Sequence, residues 1–388
     1  MSINEKDGPL KGLLVIDFTC VVSGPFCTQL LSDNGARVIK IERPGTGDII
    51  RHCGVLIDDA LSKDFAILNG GKESFVADLK SPEDRGILEQ IIAKADVLVE
   101  NFRPGVMDRA GLGYQQVKQI NSAIIYASIS GFGQSGPIHA APAYDEIVQA
   151  NSGLMSVTGF PDGRSTRAGF SLGDVNAGIH CYASIMTALF NRSRTGEGCR
   201  IDTAMLDCMI SMLAEPIGEY AVTGEVPRKQ GNDNPSITPF STYATKDREI
   251  ALCVASPKLW GLLLGVIGKS DWLDRPEFAF PEGAQRNKDQ LRIELEAILK
   301  TEAADYWLDK MHAAGVPCAN VNTIQDMAEM EQVKHRRMLI NSGGYRFPGN
   351  PIRLDAYPVI EERPMAPSLG EHSDQIKKEF SATREETR

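Results

Sequence analysis

Short apolar runs alternate with amphipathic stretches through the first third of the chain. GLLVIDFT (12–19) reads as a buried strand, PFCTQLLSDNG (25–35) as a helix ending at Gly35, and RVIKIE (37–42) as the next strand. GILEQIIAKA (86–95) repeats its apolar residues with a helical period, while DVLVENF (96–102) and AIIYASISG (123–131) are again strand-like. Near-continuous apolar strands separated by helices specify a parallel sheet covered by helices. The expected fold class is therefore α/β, a doubly wound and mostly parallel, Rossmann-like sheet. Farther on, a helical run begins near Asp174, the turn TGEG (195–198) leads into strand-like CRIDTAML (199–206), and a long helix is expected over 207–223.

The pattern then changes. GEVPRKQGNDNPSITPF (224–240) is rich in Gly, Pro and Asn and reads as a linker or binding loop. Residues 241–322 carry their own hydrophobic units, EIALCVAS, KLWGLLLGVI and DQLRIELEAILK, which suffice for a second, smaller α/β domain. A charged helix over 323–338 leads back, so the large domain is expected to comprise 1–223 plus 339–388. A chain of 388 residues, 42% hydrophobic and 24% charged, has the length for these two cores. No run approaches the roughly 18 apolar residues of a membrane span. MSINEKDGPLKG lacks an apolar signal core, so a cytoplasmic protein is expected. A net charge of −10 and a pI near 5.3 argue against nucleic acid as the partner and for a small molecule. Eight scattered cysteines and six dispersed histidines show no metal-ligand spacing, and no metal is expected.

Ligands of open α/β sheets gather at the carboxyl ends of the strands. There the chain places TCVVSGPF (19–26), ERPGTGD (42–48), NFRPG (101–105) and GFGQSGP (131–137). Glycine turns that open helices, with Arg43, Arg103 and Arg109 nearby, suit a ligand bearing phosphates. Neither a G-x-G-x-x-G in its proper context nor a Walker loop is present, so the nucleotide fingerprints are missing. Asp174 follows Gly173 at the start of a helical run, where two compatible roles are open to it. As an N-cap it would contribute about 1 kcal/mol. As a nucleophile it would sit where the helix dipole favours the ionised form, with Gly173 permitting close approach.

The ordered motifs LKGLLVIDFTCVVSGPFCTQLLSDNGARVIKIERPGTGD, LNGGKESFVADLKSPE, ADVLVENFRPGVMDRAGLGY, SISGFGQSGP with PAYD, Gly173-Asp174, TGEGCRIDTAMLD and SLGEHSD cover nearly the whole chain. Together they resemble the class III CoA-transferases, the group of formyl-CoA transferase and carnitine CoA-transferase. The resemblance implies that Asp174 is the nucleophile, moving CoA from an acyl-CoA to a free carboxylic acid through aspartyl anhydride and aspartyl-CoA intermediates. It implies no cofactor beyond CoA itself. It also implies CoA contacts at Val22, Ser23, Arg43, Ala77 to Lys80, Asn101, Phe102, Arg103, Arg109 and Tyr144, and an interlocked, ring-like homodimer.

Two departures narrow the substrate. Formyl-CoA transferases carry glutamine where Val22 stands, and a glycine run ending in glutamine where this chain has GNDNPSITPF (231–240). Both features serve oxalate handling, so formyl-CoA:oxalate transfer is not expected. The polar loop becomes the candidate reader of the acyl group through Asn232, Asn234 or Ser236, with a short dicarboxylic acid such as succinate the expected acid. The rival reading is an isomerase of the α-methylacyl-CoA racemase type, which uses a histidine in a GHD context. Here PAYD puts Tyr144 in that place, which favours the transferase. His139 and His180 lie outside that motif and read as loop and helix histidines.

Overall fold

The structure is a computed structural model that describes residues 7–58 and 61–381. These form two units. The first contains the described residues up to Leu154, Arg167–Thr223, and those from Glu331 on; the second contains Met155–Thr166 and Gly224–Met330.

Six strands build the first unit's main sheet: β1 (Leu14–Asp17), β2 (Arg37–Glu42), β3 (Glu73–Val76), β4 (Val97–Glu100), β5 (Ile125–Ser130) and β6 (Cys199–Ala204). All pair in parallel, in the order β3-β2-β1-β4-β5-β6. Alternate strand residues enter two separate cores. Ile16, Ile39, Leu98 and Tyr126 pack beneath helix α2 (Pro82–Lys94) and the C-terminal helix Ser373–Ser381. Val15, Val38, Val97, Val99, Ile125 and Ala127 pack beneath helices α1 (Ser23–Asp33), α4 (Leu172–Thr195) and α5 (Met205–Met212). Helix α3 (Asp145–Asn151) packs against α4 and α5. Apolar residues at consecutive positions thus feed both faces, the arrangement of a doubly wound sheet.

Several local expectations change. Strand β3 is hidden in the sequence by Glu73 and Ser74, which are polar yet buried. Arg37 meets Glu73 with two bonds of 2.9 Å, and Ser74 donates to Glu42 at 2.6 Å. The outer edge of β3 is covered by the SLGEHSD segment, where His372 N donates to Ser74 O at 3.1 Å and Val76 N to Ser373 Oγ at 3.1 Å. The helix expected over 207–223 is two helices, α5 and Ala214–Thr223, since Pro216 has no N–H to offer the carbonyl of Met212. The helix expected over 323–338 is likewise two short ones, Ile324–Glu329 and Glu331–His335, broken at the extended backbone of Met330.

The second unit is a three-stranded antiparallel sheet, β7 (Phe240–Ala244), β8 (Glu249–Cys253) and β9 (Cys318–Asn320), with β8 in the middle. It packs against helices including Pro257–Ile267, Lys288–Leu299 and Ala304–Ala314 around Trp260, Trp272, Phe278 and Trp307. Residues 155–166, read with the large domain, belong here, and so does the segment 224–240, read as a linker. The reason is backbone pairing: Gly231 N donates to Gly159 O at 2.9 Å and Asn234 N to Phe240 O at 2.9 Å.

A buried ionic cluster underlies the carboxyl ends of β1 and β2. Asp17, Glu42 and Asp48 face Lys40, Arg51 and Lys72, all at most 5% exposed. Lys72 Nζ lies 3.0 Å from Asp17, Lys40 Nζ 3.1 Å from Asp48, and Arg51 grips Glu42 through bonds of 2.7 and 2.8 Å. Burial would push the Asp17 carboxyl up, but Lys72, Lys40 and the Thr19 and Thr28 hydroxyls outweigh it and hold it well below the usual carboxylate range. Burial would likewise push Lys40 down, and Asp17, Asp48 and Glu42 together keep it above the ordinary lysine value. Removing one member leaves an uncompensated buried charge, which costs roughly 3–5 kcal/mol. Lys40→Met is therefore expected to lose about that much stability in urea unfolding. Adding Asp48→Asn is expected to cost less than the sum of the two single changes, because the orphaned carboxylate is gone.

Candidate active site

The strand order reverses between β1 and β4, so the loops that follow these two strands part and leave a crevice. Asn101, the residue after β4, ties the loops together. Its Oδ1 accepts Cys20 N–H at 2.8 Å, and its Nδ2 donates to Cys20 O at 2.8 Å and to Ser23 Oγ at 3.2 Å. The next residue, Val21, has φ +67°. A β-branched residue there is strained by about 1–3 kcal/mol and persists only when its surroundings fix it. Asp48 does so by accepting Val21 N–H at 3.1 Å, and Lys40 in turn holds Asp48.

Asp174 is the third residue of α4, not its cap. Ser171, which precedes the helix, makes no side-chain cap bond. The leading N–H groups go instead to Asp145, whose Oδ1 accepts from Gly173 at 2.7 Å and from Asp174 at 3.4 Å. Gln149 Nε2 steadies the other Asp145 oxygen at 2.6 Å. The Asp174 side chain is left to hydrogen-bond with Ser23, at the start of α1. Gly178, one turn further along α4, makes this approach feasible, since a Cβ there would lie 2.7 Å from Ser23 O and 3.1 Å from the Phe26 ring.

Ser23, Asn101, Phe102, Arg103, Tyr144 and Asp174, all candidates from the sequence, line one cavity of about 270 Å³. Val22, Arg43, Ala77, Lys80 and Arg109 lie outside its lining. Arg43 and Ala77 directly follow β2 and β3 as Asn101 follows β4, so these positions share the carboxyl edge of one sheet. Arg43 is exposed with its Nε donating to Gly47 O at 3.1 Å, Lys80 and Arg109 are exposed, and Ala77 is buried in the core. Asn232, Asn234 and Ser236 lie in the second unit, where they knit their own loop. Asn234 Oδ1 accepts from Ser236 N at 2.9 Å and Ile237 N at 3.0 Å, and Asn232 Nδ2 donates to Thr242 Oγ1 at 2.9 Å.

Cys20, Val21, Pro104 and Gly131, from the strand-end stretches marked in the sequence, complete that side of the lining, whereas Ile49, Ser130, Ala141, Ala143 and Met205 line it without having been candidates. His139 also lines the cavity, its Nδ1 2.7 Å from Gly136 O, whereas His180 bonds back to Asn176 O within its helix. Asp145 carried a sequence signal, the acidic residue of PAYD, and Gly178 another, a glycine inside a helical run. Among the described residues there is no group of three or more His, Cys, Asp or Glu placed to hold a metal ion. No helix among them is long and apolar enough to cross a membrane.

Burial pushes the Glu100 carboxyl, at the end of β4, up to about 7, but of the two carboxyls so raised it is Asp174 that lines the cavity. Burial first, and the neighbouring Asp145 charge second, push its carboxyl up to about 7, against the opposing hydrogen bond with Ser23. The side chain therefore passes from acid to carboxylate near neutral pH. Asp145→Asn removes the like charge while its amide oxygen can still accept from Gly173. The Asp174 carboxyl, followed by ¹³C NMR, is then expected to titrate below its wild-type value but above the ordinary 3.8, because burial remains.

A partly desolvated carboxyl at a helix start, beside the first turn of α1 and lining a cavity shared with Arg103 and Asn101, can attack an electrophilic carbonyl. Comparison with known proteins agrees in kind. The sequence profile of CoA-transferase family III matches residues 10–373. The chain is 44% identical to an acetyl-CoA:oxalate CoA-transferase of Acetobacter aceti over 97% of each chain. It is 34% identical to a succinate–glutarate CoA-transferase of Agrobacterium fabrum over 96% of each. Among solved structures, a CAIB/BAIF family protein from Brucella suis superposes with a TM-score of 0.88 at 33% identity, covering 97% of this chain and 100% of that one. The chain therefore belongs to CoA-transferase family III.

Proposed function

We propose that the protein transfers CoA from a short acyl-CoA to a short dicarboxylic acid, with Asp174 as the covalent carrier. The observation that carries the proposal is the placement of Asp174: on the cavity wall, relieved of helix capping by Asp145, and titrating near neutrality. The ionised Asp174 attacks the thioester carbonyl and CoA thiolate leaves, giving a mixed anhydride. The thiolate then attacks the aspartyl carbonyl, forming an aspartyl-CoA thioester and freeing the donor acid. The acceptor carboxylate attacks that thioester, thiolate leaves again, and its attack on the acyl carbonyl of the second anhydride yields the new acyl-CoA and restores Asp174. Each attack develops an oxyanion, and we assign its stabilisation to the first-turn N–H groups at the start of α1, where Val22 makes no side-chain cap bond. Arg103, Asn101 and Tyr144 are the groups we assign to holding CoA.

The relatives' names support the acid class, because oxalate, succinate and glutarate are all short dicarboxylates. With acetyl-CoA or succinyl-CoA as donor and a panel of such acids, the wild type is expected to form new acyl-CoA species resolved by mass spectrometry. Asp174→Ala is expected to lose at least a thousandfold in rate. Equal transfer by the alanine variant would sink the nucleophile role. Exchange of the α-proton in D₂O without transfer would instead make it an isomerase.

We also propose a homodimer. Phe190 on α4, Tyr220 and Val222 are 68%, 55% and 88% exposed, large apolar side chains for which a second copy is a suitable cover. Light scattering of the purified chain is expected to give twice the 42.3 kDa chain mass. A monomer would refute this part of the proposal.

A further inference from the structure

Covalent chemistry at Asp174 fixes where the acyl group must lie. In the anhydride the acyl carbonyl carbon is one oxygen away from the Asp174 carboxyl carbon, so the chain beyond it occupies the part of the cavity next to the first turn of α4. Exposure along the lining distinguishes the two ends. Tyr144, 74% exposed, and Arg103, also exposed, mark the mouth. Met205, Ser23 and Ser130, at 5%, 5% and 7%, mark the closed end. Met205 is the first residue of α5, delivered there directly by the carboxyl end of β6. Its methyl Cε lies 3.8 Å from where a Cβ on Gly173 would stand, so its thioether rests against the turn that carries Asp174.

Resting on the transfer mechanism above, we propose that Met205 closes the acyl end of the cavity and sets the length of acid that Asp174 can carry. The wall is soft, because methionine has three rotatable bonds and a polarisable sulfur, and it adapts to chains that differ by a carbon. It is also bounded, because the side chain is held within the core formed by α4, α5 and the sheet. The Ser130 hydroxyl, which accepts Gly133 N–H and keeps its own proton to donate, leaves polar ground for a second carboxylate, provided the chain is short enough to stop before the sulfur.

The test is the transfer specificity of the intact enzyme across unbranched dicarboxylic acids of two to six carbons. Wild type is expected to prefer the shorter acids. Met205→Ala is expected to raise kcat/KM for the six-carbon acid relative to the four-carbon acid by tenfold or more, the scale on which a pocket discriminates added methylenes. Met205→Val should fall between the two, and Met205→Phe should cut the longest accepted acids first. Thermal unfolding establishes which variants fold, and any folded variant decides the matter. A specificity profile parallel to wild type in a folded, active variant overturns the role of Met205. Wild type that transfers CoA to none of the acids overturns the functional reading itself, a different result from a parallel profile.

Discussion

The charge balance beneath β1 and β2 is the constraint on which the site depends. Three carboxylates and three cations are removed from water together, an arrangement that hydrophobic residues could often replace without loss of stability. Its value lies in direction. Lys40 donates to Thr19 O at 2.8 Å and holds Asp48, and Asp48 fixes the N–H of Val21 in a conformation that valine avoids. The strain at Val21 is thus maintained from below by charge and from the side by Asn101, which brackets Cys20. Both devices end at the cavity wall.

This explains why a sheet in the order 3-2-1-4-5-6 lacks the glycine fingerprint usual for that topology. In dinucleotide-binding folds a glycine makes the sharp turn after the first strand. Here the positive φ falls on Val21, imposed by hydrogen bonds, and the helix that follows opens with Ser23 and Gly24. A side chain is therefore present where the fingerprint would leave space, and that side chain lines the cavity.

Two carboxylates divide the work at the start of α4. Asp145 accepts the N–H groups of the first turn and so holds the helix end in register. Asp174, freed of that duty, is partly desolvated and faces Ser23. Burial raises its proton affinity without removing the carboxylate at neutral pH, a compromise that suits the attacking and leaving role proposed for it. Gly178 controls the distance between α4 and α1 on which the Ser23 contact depends.

The α/β class, the positions of β1, β2, β4, β5 and β6, the second hydrophobic unit and the family are legible in the chain, which also puts Asp174 forward as a candidate. Those features rest on local periodicity, and on motifs contiguous in the chain. Strand β3 escaped because its buried polar residues are satisfied only by Arg37, Glu42 and a tail some three hundred positions away. Assignment of 155–166 to the second unit likewise depends on a bond between Gly159 and Gly231. Whether Asp174 capped its helix or stood free could not be decided from Gly173 and the run that follows, because the competing cap, Asp145, lies 29 residues earlier. That point is settled only by tertiary contacts, as are the strain at Val21 and the placement of Met205 on the cavity wall, because each depends on side chains that meet only when distant strands are paired.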